Sequence, residues 1–141
     1  MAVTALLRLA KLCDRRDFAA KAEQTLHGYK AMMEEHPSAC GQMLIALDFF
    51  LGPVEEIAVV GQLAKDATGL LEAIRGGFRP NQIVAAHDVT LGPPPSDLIP
   101  LLRDRPMVDG SVTTYVCENS VCQAPLVGVT AAVEYFRNSA E

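Results

Sequence analysis

The residues with the most chemical potential stand together at Thr113-Thr114-Tyr115-Val116-Cys117-Glu118-Asn119-Ser120-Val121-Cys122-Gln123-Ala124-Pro125-Leu126. Cys117 and Cys122 could form a reversible dithiol, in which one thiolate attacks a partner sulfur and the other resolves the mixed disulfide. Their spacing is C-x4-C, not the C-x-x-C of thioredoxin-type motifs. No Lys, Arg or His lies close in sequence to lower a thiol pKa, and Glu118 would raise it. The plainer alternative is that both are small, half-buried hydrophobes shaping a hairpin, and that structural role is the first expectation. Zinc usually takes four ligands. No second pair at suitable spacing is present, so no metal site is expected. Cys13 and Cys40 stand singly on predicted helices and are expected in the core.

The local sequence says how the cysteines are held. Val112 to Val116 are β-branched or aromatic and read as a strand. Glu118-Asn119-Ser120 is turn chemistry, because Asn and Ser side chains bond nearby backbone. A second short strand is predicted around Val121 to Leu126. Pro125 lacks an amide donor, which places that strand at an edge or keeps it very short. Such a hairpin brings the cysteines to the Cα separation of about 5.5 to 6 Å that suits a disulfide.

A second candidate is His87-Asp88, which follows the predicted strand Gln82 to Ala86. Ligands of open α/β sheets bind beyond the carboxyl ends of strands, and Gly61 ends another predicted strand at the same edge. Gly61, His87 and Asp88 are therefore the ligand-binding candidates, for an anion, with His87 and Asp88 readable as a base and its orienter. The plainer reading is a strand-ending turn in which Asp88 bonds backbone. Glu55 and Glu56 are neighbours on a strand, so they point to opposite faces and make a poor acid/base pair. Gly76-Gly77 lies at a helix end with no Lys-Ser or Lys-Thr after it, so it is not a phosphate loop. His27 and His36 have no partner at metal-binding spacing and read as surface residues.

The segment Tyr-Val-Cys-Glu-Asn-x-x-Cys-x-x-Pro, at 115 to 125, resembles the C-terminal signature of the spermatogenesis-associated thioredoxin-domain proteins and their bacterial relatives. Ala5-Leu6-Leu7-Arg8-Leu9-Ala10, Met43 to Leu51, Glu56 to Gly61 and Arg79-Pro80-Asn81-Gln82-Ile83-Val84 resemble other family stretches in the same order. The resemblance implies an N-terminal thioredoxin-like domain, then a toroid of helical hairpins like that of sugar 2-epimerases, then a short α/β tail. It covers only the C-terminal part, so no redox motif or catalytic residue carries over to this chain. It also leaves open whether Met1 is the natural start. At the end of the second strand the family commonly has an acidic residue, which favours Asp88; His87 departs from that pattern.

The elements that position these residues follow from periodicity. Val3, Leu6, Leu7 and Ala10 mark a first helix. Asp14 is a plausible N-cap for a second, Arg15 to Glu35, with Phe18, Ala22, Leu26, Tyr29 and Met33 on its buried face. Pro37 ends it, Ser38 can cap a third helix reaching Leu51, and Gly52-Pro53 stops that one. Ile57-Ala58-Val59-Val60 reads as a buried strand. Asp66 can cap a helix through Leu70 and Ile74, and Gln82 to Ala86 reads as a strand parallel to 57–60. After Gly92-Pro93-Pro94-Pro95, Ser96 can cap a short helix with Leu98, Ile99, Leu101 and Leu102. Thr130 to Arg137 is the last helix.

Composition limits the function classes. Half of the 141 residues are apolar and the formal charge is −5. Without a basic cluster, nucleic acid is not an expected partner. No apolar run approaches the roughly 20 residues that cross a bilayer, and no signal-peptide order is present, so no membrane partner and a cytoplasmic location are expected. The fold class expected is α+β. Residues 1–52 form helical hairpins at the end of a toroid, and 53–141 a small α/β tail with a partly parallel sheet. The favoured function is a non-catalytic C-terminal structural or interaction region, without a cofactor. Its partners would be the rest of the full-length protein or a second copy. A small thiol-redox protein using Cys117 and Cys122, and a ligand-binding α/β module, are the alternatives.

Overall fold

Ile57-Ala58-Val59-Val60 is apolar at every position, and such a strand is stable only when both faces are covered. A computed structural model, which describes residues 2–119 and 121–139, places it inside the sheet. Strand β1 (Glu55–Gly61) pairs in parallel with β2 (Gln82–Asp88) on one side. On the other it pairs antiparallel with β3 (Thr113–Glu118). Two short strands, β4 (Val121–Cys122) and β5 (Leu126–Val127), both pair antiparallel with β3. Pro125 falls between them, where its missing donor breaks the edge into two pieces. The sheet is thus partly parallel, and the fold is α+β.

Helices cover both faces. One side carries α1 (Ala2–Cys13), α2 (Arg16–Gly28), α3 (Lys30–Glu35) and α4 (Gly41–Leu51). Val3, Leu7, Leu26, Ala46 and Phe49 pack there against Ala58 and Val60 of β1. On the other side α5 (Leu63–Asp66) leads into α6 (Thr68–Arg75), which packs beside α7 (Val129–Asn138). Leu70, Ile74, Ala132 and Phe136 meet Ile57, Val59 and Val116 on that side. The alternation of β1 divides its residues between the two cores. Arg8 joins α1 to the turn before β2, donating to the carbonyls of Pro80 (2.7 Å) and Gln82 (3.1 Å) while lying 5.2 Å from the Phe49 ring centre.

Several local expectations are corrected. Asp14 does not cap α2: it takes a left-handed conformation (φ 50°) that ends α1, and Arg15 holds the N-cap position. Asp tolerates that region better than most residues. The expected helix 15–35 breaks at Tyr29, just after Gly28, the weakest helix former short of proline. Ser38 lies in a 3-10 turn, Pro37–Cys40, and Cys40 precedes α4 without a side-chain cap bond. The short helix expected around 98–102 is only the 3-10 turn Pro100–Leu102. Pro100 pushes Ile99 out of helical geometry (φ −124°, ψ 83°). Ala67, not Asp66, precedes α6. Met1, Ser120 and the Asp66 side chain lie outside the described residues and side chains.

Candidate functional site

The pleat of β3 decides what can meet the cysteines. Tyr115 and Cys117 share the sheet face that α1 and α4 cover, while Val116 points into the opposite core. Cys117 is paired across the hairpin with Cys122, and the two form a disulfide. Gln123 N donates to Val116 O at 3.0 Å, so the adjacent cysteine pair is the close, non-hydrogen-bonded kind. Their Cα atoms are 3.9 Å apart, nearer than the separation expected from the sequence. Cys117 is buried, at 1% exposure, and Cys122 is exposed. Cys13 and Cys40 carry free thiols, half-buried and buried respectively.

A cation completes the arrangement. Arg105 Nη2 donates to Cys117 Sγ and to Cys122 Sγ, both at 3.1 Å. Its guanidinium lies 6.0 Å from the Tyr115 ring centre, and the Tyr115 hydroxyl donates to Pro106 O at 2.7 Å. That hydroxyl bond pins the chain beside Arg105. Across the sheet, Glu56 is the direct register partner of Cys117 and is nearly buried, at 9% exposure. Lys11 Nζ stands 3.7 Å from its carboxylate. Burial pushes the Arg105 pKa down, with the Glu56 charge acting against it. Burial likewise raises the Tyr115 phenol. Lys11, Glu56 and Arg105 line a cleft of about 630 Å³, together with Arg16 and Arg103 and the carboxylates of Asp14 and Asp104.

The cysteines are legible in the sequence but Arg105 is not, because it is distant in the chain from both of them. One signal existed. A glutamate on the core-facing side of β1 needs a nearby cation, and Arg103 and Arg105 precede the strand that pairs with it.

The other candidates are placed differently. His87 and Asp88 are successive residues of β2, so they face opposite sides. His87 is buried, with Nε2 at 2.9 Å from Gly92 O. Both Asp88 oxygens are engaged. Oδ1 accepts from Thr90 N (2.9 Å) and Thr90 Oγ1 (2.7 Å), and Oδ2 accepts from Ala64 N (3.2 Å). The Thr90 side chain and then its backbone hold the Asp88 pKa below the ordinary carboxylate value. Gly61 is opposite Asp88 in the β1–β2 register, and a Cβ on it would fall 2.8 Å from the α-carbon of Val112. Glu55 and Glu56 face opposite ways; Glu55 lies 3.9 Å from Arg79, and burial raises its pKa. Among the described residues, no group of three or more His, Cys, Asp or Glu side chains is placed to hold a metal ion. No described helix is long and apolar enough to cross a membrane.

These features define an α+β unit built on a mixed sheet, with a disulfide-closed edge hairpin under an arginine. The chain is homologous to proteins named spermatogenesis-associated protein 20. The human one is 29% identical over 125 residues, 86% of this chain and 16% of the relative. That of Rattus norvegicus is 30% identical and that of Mus musculus 28%, over the same share of this chain. The chain thus spans only 15–16% of the length of these relatives. No family model matches it, and no solved structure matches it significantly.

Proposed function

We propose that the chain is the C-terminal structural and interaction region of a longer protein and carries out no reaction of its own in that assembly. In this reading residues 1–52 close a helical toroid of the epimerase-like kind, and the mixed sheet of 53–141 is held against it, in the cytoplasm. The observation that carries the reading is α4. Its sequence, Gly-Gln-Met-Leu-Ile-Ala-Leu-Asp-Phe-Phe-Leu, is apolar on almost every side. Ala46 and Phe49 are buried, but Ile45, Phe50 and Leu51 are 46%, 38% and 72% exposed. A helix apolar all round belongs inside a larger body.

The uncovered side forms a groove of about 390 Å³ between α4 and the α2–α3 pair, floored by Leu26, Met33, Leu44 and Leu47. Its rim holds two charge pairs, Glu23 with His27 at 4.0 Å and Lys30 with Glu34 at 3.9 Å. An apolar floor with a charged rim suits an amphipathic helix. The relatives' much greater length supplies a source for one. Alone, the chain should cover the groove with a second copy. Sedimentation velocity is expected to show dimers or larger species for the isolated chain. Phe50→Glu combined with Leu51→Glu, both lining the groove, should give a monomer with an unchanged circular-dichroism spectrum. A wild-type monomer that binds no hydrophobic dye would overturn the reading. The position of Arg105 over the disulfide favours a second reading, thiol exchange, which would replace the non-catalytic part of the first and leave the docking role of α4 in place.

A further inference from the structure

We propose that the Cys117–Cys122 disulfide is a thiol-exchange site for small thiols that carry carboxylates, with Arg105 holding the thiolate that leaves. It does not depend on the docking role of α4. The asymmetry of the pair sets the direction of attack. Cys122 is exposed and Cys117 is buried, so an incoming thiolate can reach only the Cys122 sulfur. Attack forms a bond between the incoming sulfur and Cys122 Sγ and breaks the bond between Cys122 and Cys117. The electron pair leaves on Cys117 Sγ. A second thiolate then attacks the incoming sulfur, releasing a small-molecule disulfide and the Cys122 thiolate. Two thiols are oxidised, and the protein disulfide is reduced by two electrons.

Arg105 gives this sequence its driving force. In the disulfide both sulfurs are neutral and weak acceptors. The same guanidinium at 3.1 Å becomes a charge-assisted partner once either sulfur is anionic. The interaction therefore favours the reduced form over the oxidised one and lowers the thiol pKa. Tyr115 bonds Pro106 O, next to Arg105, so the backbone that carries Arg105 is anchored by a contact that does not involve the disulfide. Carboxylate-bearing thiols are favoured by the adjoining cleft. Five cations, Lys11, Arg15, Arg16, Arg103 and Arg105, line it against three carboxylates, Asp14, Glu56 and Asp104, in a chain whose overall charge is −5.

The test is redox equilibration of the whole chain across a glutathione series, followed by alkylation and peptide mass spectrometry of Cys117 and Cys122. The wild-type pair should pass reversibly between oxidised and reduced forms. Arg105→Gln should shift the equilibrium constant about tenfold toward the disulfide, which is about 30 mV for two electrons. Arg105→Lys, which keeps the charge, should recover most of that shift. A shift below twofold in Arg105→Gln overturns the role of Arg105. In the reduced wild type, the pH profile of iodoacetamide alkylation should place the more reactive of the two thiols below the ordinary value of about 8.5; a higher value overturns the proposal without any variant. At equal thiolate concentration, glutathione should reduce the disulfide several-fold faster than cysteamine, a cationic thiol. Equal rates overturn the substrate class.

Discussion

Gly61→Ala separates packing from ligand binding at the end of β1. A Cβ there would lie 2.8 Å from both the α-carbon and Cγ2 of Val112, and 3.1 Å from its Cβ. Rotating the Val112 side chain could relieve the clash with Cγ2. The clash with the α-carbon cannot be relieved that way, because this atom belongs to the chain entering β3, and Val112 O accepts the Gly128 amide at 2.8 Å. Relief requires that segment to move away from β1, against a bond that joins it to the start of α7. Overpacking of this kind costs about 1–3 kcal/mol, and a backbone clash belongs at the upper end. Alanine recovers about 0.5–1 kcal/mol by restricting the unfolded chain. The net loss is about 2 kcal/mol. For a chain of this size that lowers Tm by roughly 8 °C, measurable by circular dichroism or calorimetry. An unchanged Tm would refute the steric argument and leave room for a ligand-facing role of this glycine.

The remaining predictions concern α1 and the end of β2. Arg8→Ala leaves the Pro80 and Gln82 carbonyls without their guanidinium partner and should cost about 2–3 kcal/mol in urea unfolding. Arg8→Lys should recover part of that loss, and equal loss in both variants would point to packing on Phe49 instead. Asp88→Asn tests the turn at the end of β2. The Asp88 pKa is lowered in the fold by Thr90, so its charge stabilises the native state above the unfolded value of about 3.9. That contribution is lost as pH falls through the folded value. The Tm difference between wild type and Asp88→Asn should therefore be widest near neutrality and close on acidification. A difference that is constant with pH would show that the carboxylate charge plays no part.

Much of the architecture was legible because burial on two faces leaves a plain trace. Ile57 to Val60 read as a buried strand and Gln82 to Ala86 as a second strand, and the pairing is parallel as expected. Pro125 announced a short edge strand, and two strands of two residues each lie around it. The helix starts were less legible. Asp14 and Ser38 are good cap residues by type, but a cap works only if the chain enters from the correct direction, and that direction is set by packing. Of the proposed sites, the sequence could group Gly61, His87 and Asp88 together because they end two neighbouring strands. The plainer reading, a turn in which Asp88 bonds backbone, was legible and Thr90 N supplies that bond, whereas the bond from Ala64, distant in the chain, was not.

Arg105 shows why the chemistry of a thiol pair is harder to read than its existence. Local sequence around Cys117 offers only Glu118, which argues against an acidic thiol. Yet Glu118 faces the other side of β3, and in the register Cys117 lies opposite Glu56. The charges that matter to the sulfurs are thus set by strand pairing and by the turn at Pro100–Leu102, which returns the chain over the sheet. Both are long-range features without periodic signature. A buried carboxylate beside the cysteines would by itself oppose thiolate formation. The fold answers it with two cations, Lys11 at 3.7 Å from Glu56 and Arg105 at 3.1 Å from each sulfur. Because Lys11 engages Glu56, Arg105 can direct a donor at the disulfide. Lys11→Met should then draw Arg105 toward Glu56 and raise the reactive thiol's pKa in the reduced protein, in the same direction as Arg105→Gln but by less. If Lys11→Met left the alkylation profile unchanged, the two cations would act independently, and only Arg105 would bear on the chemistry of the sulfurs.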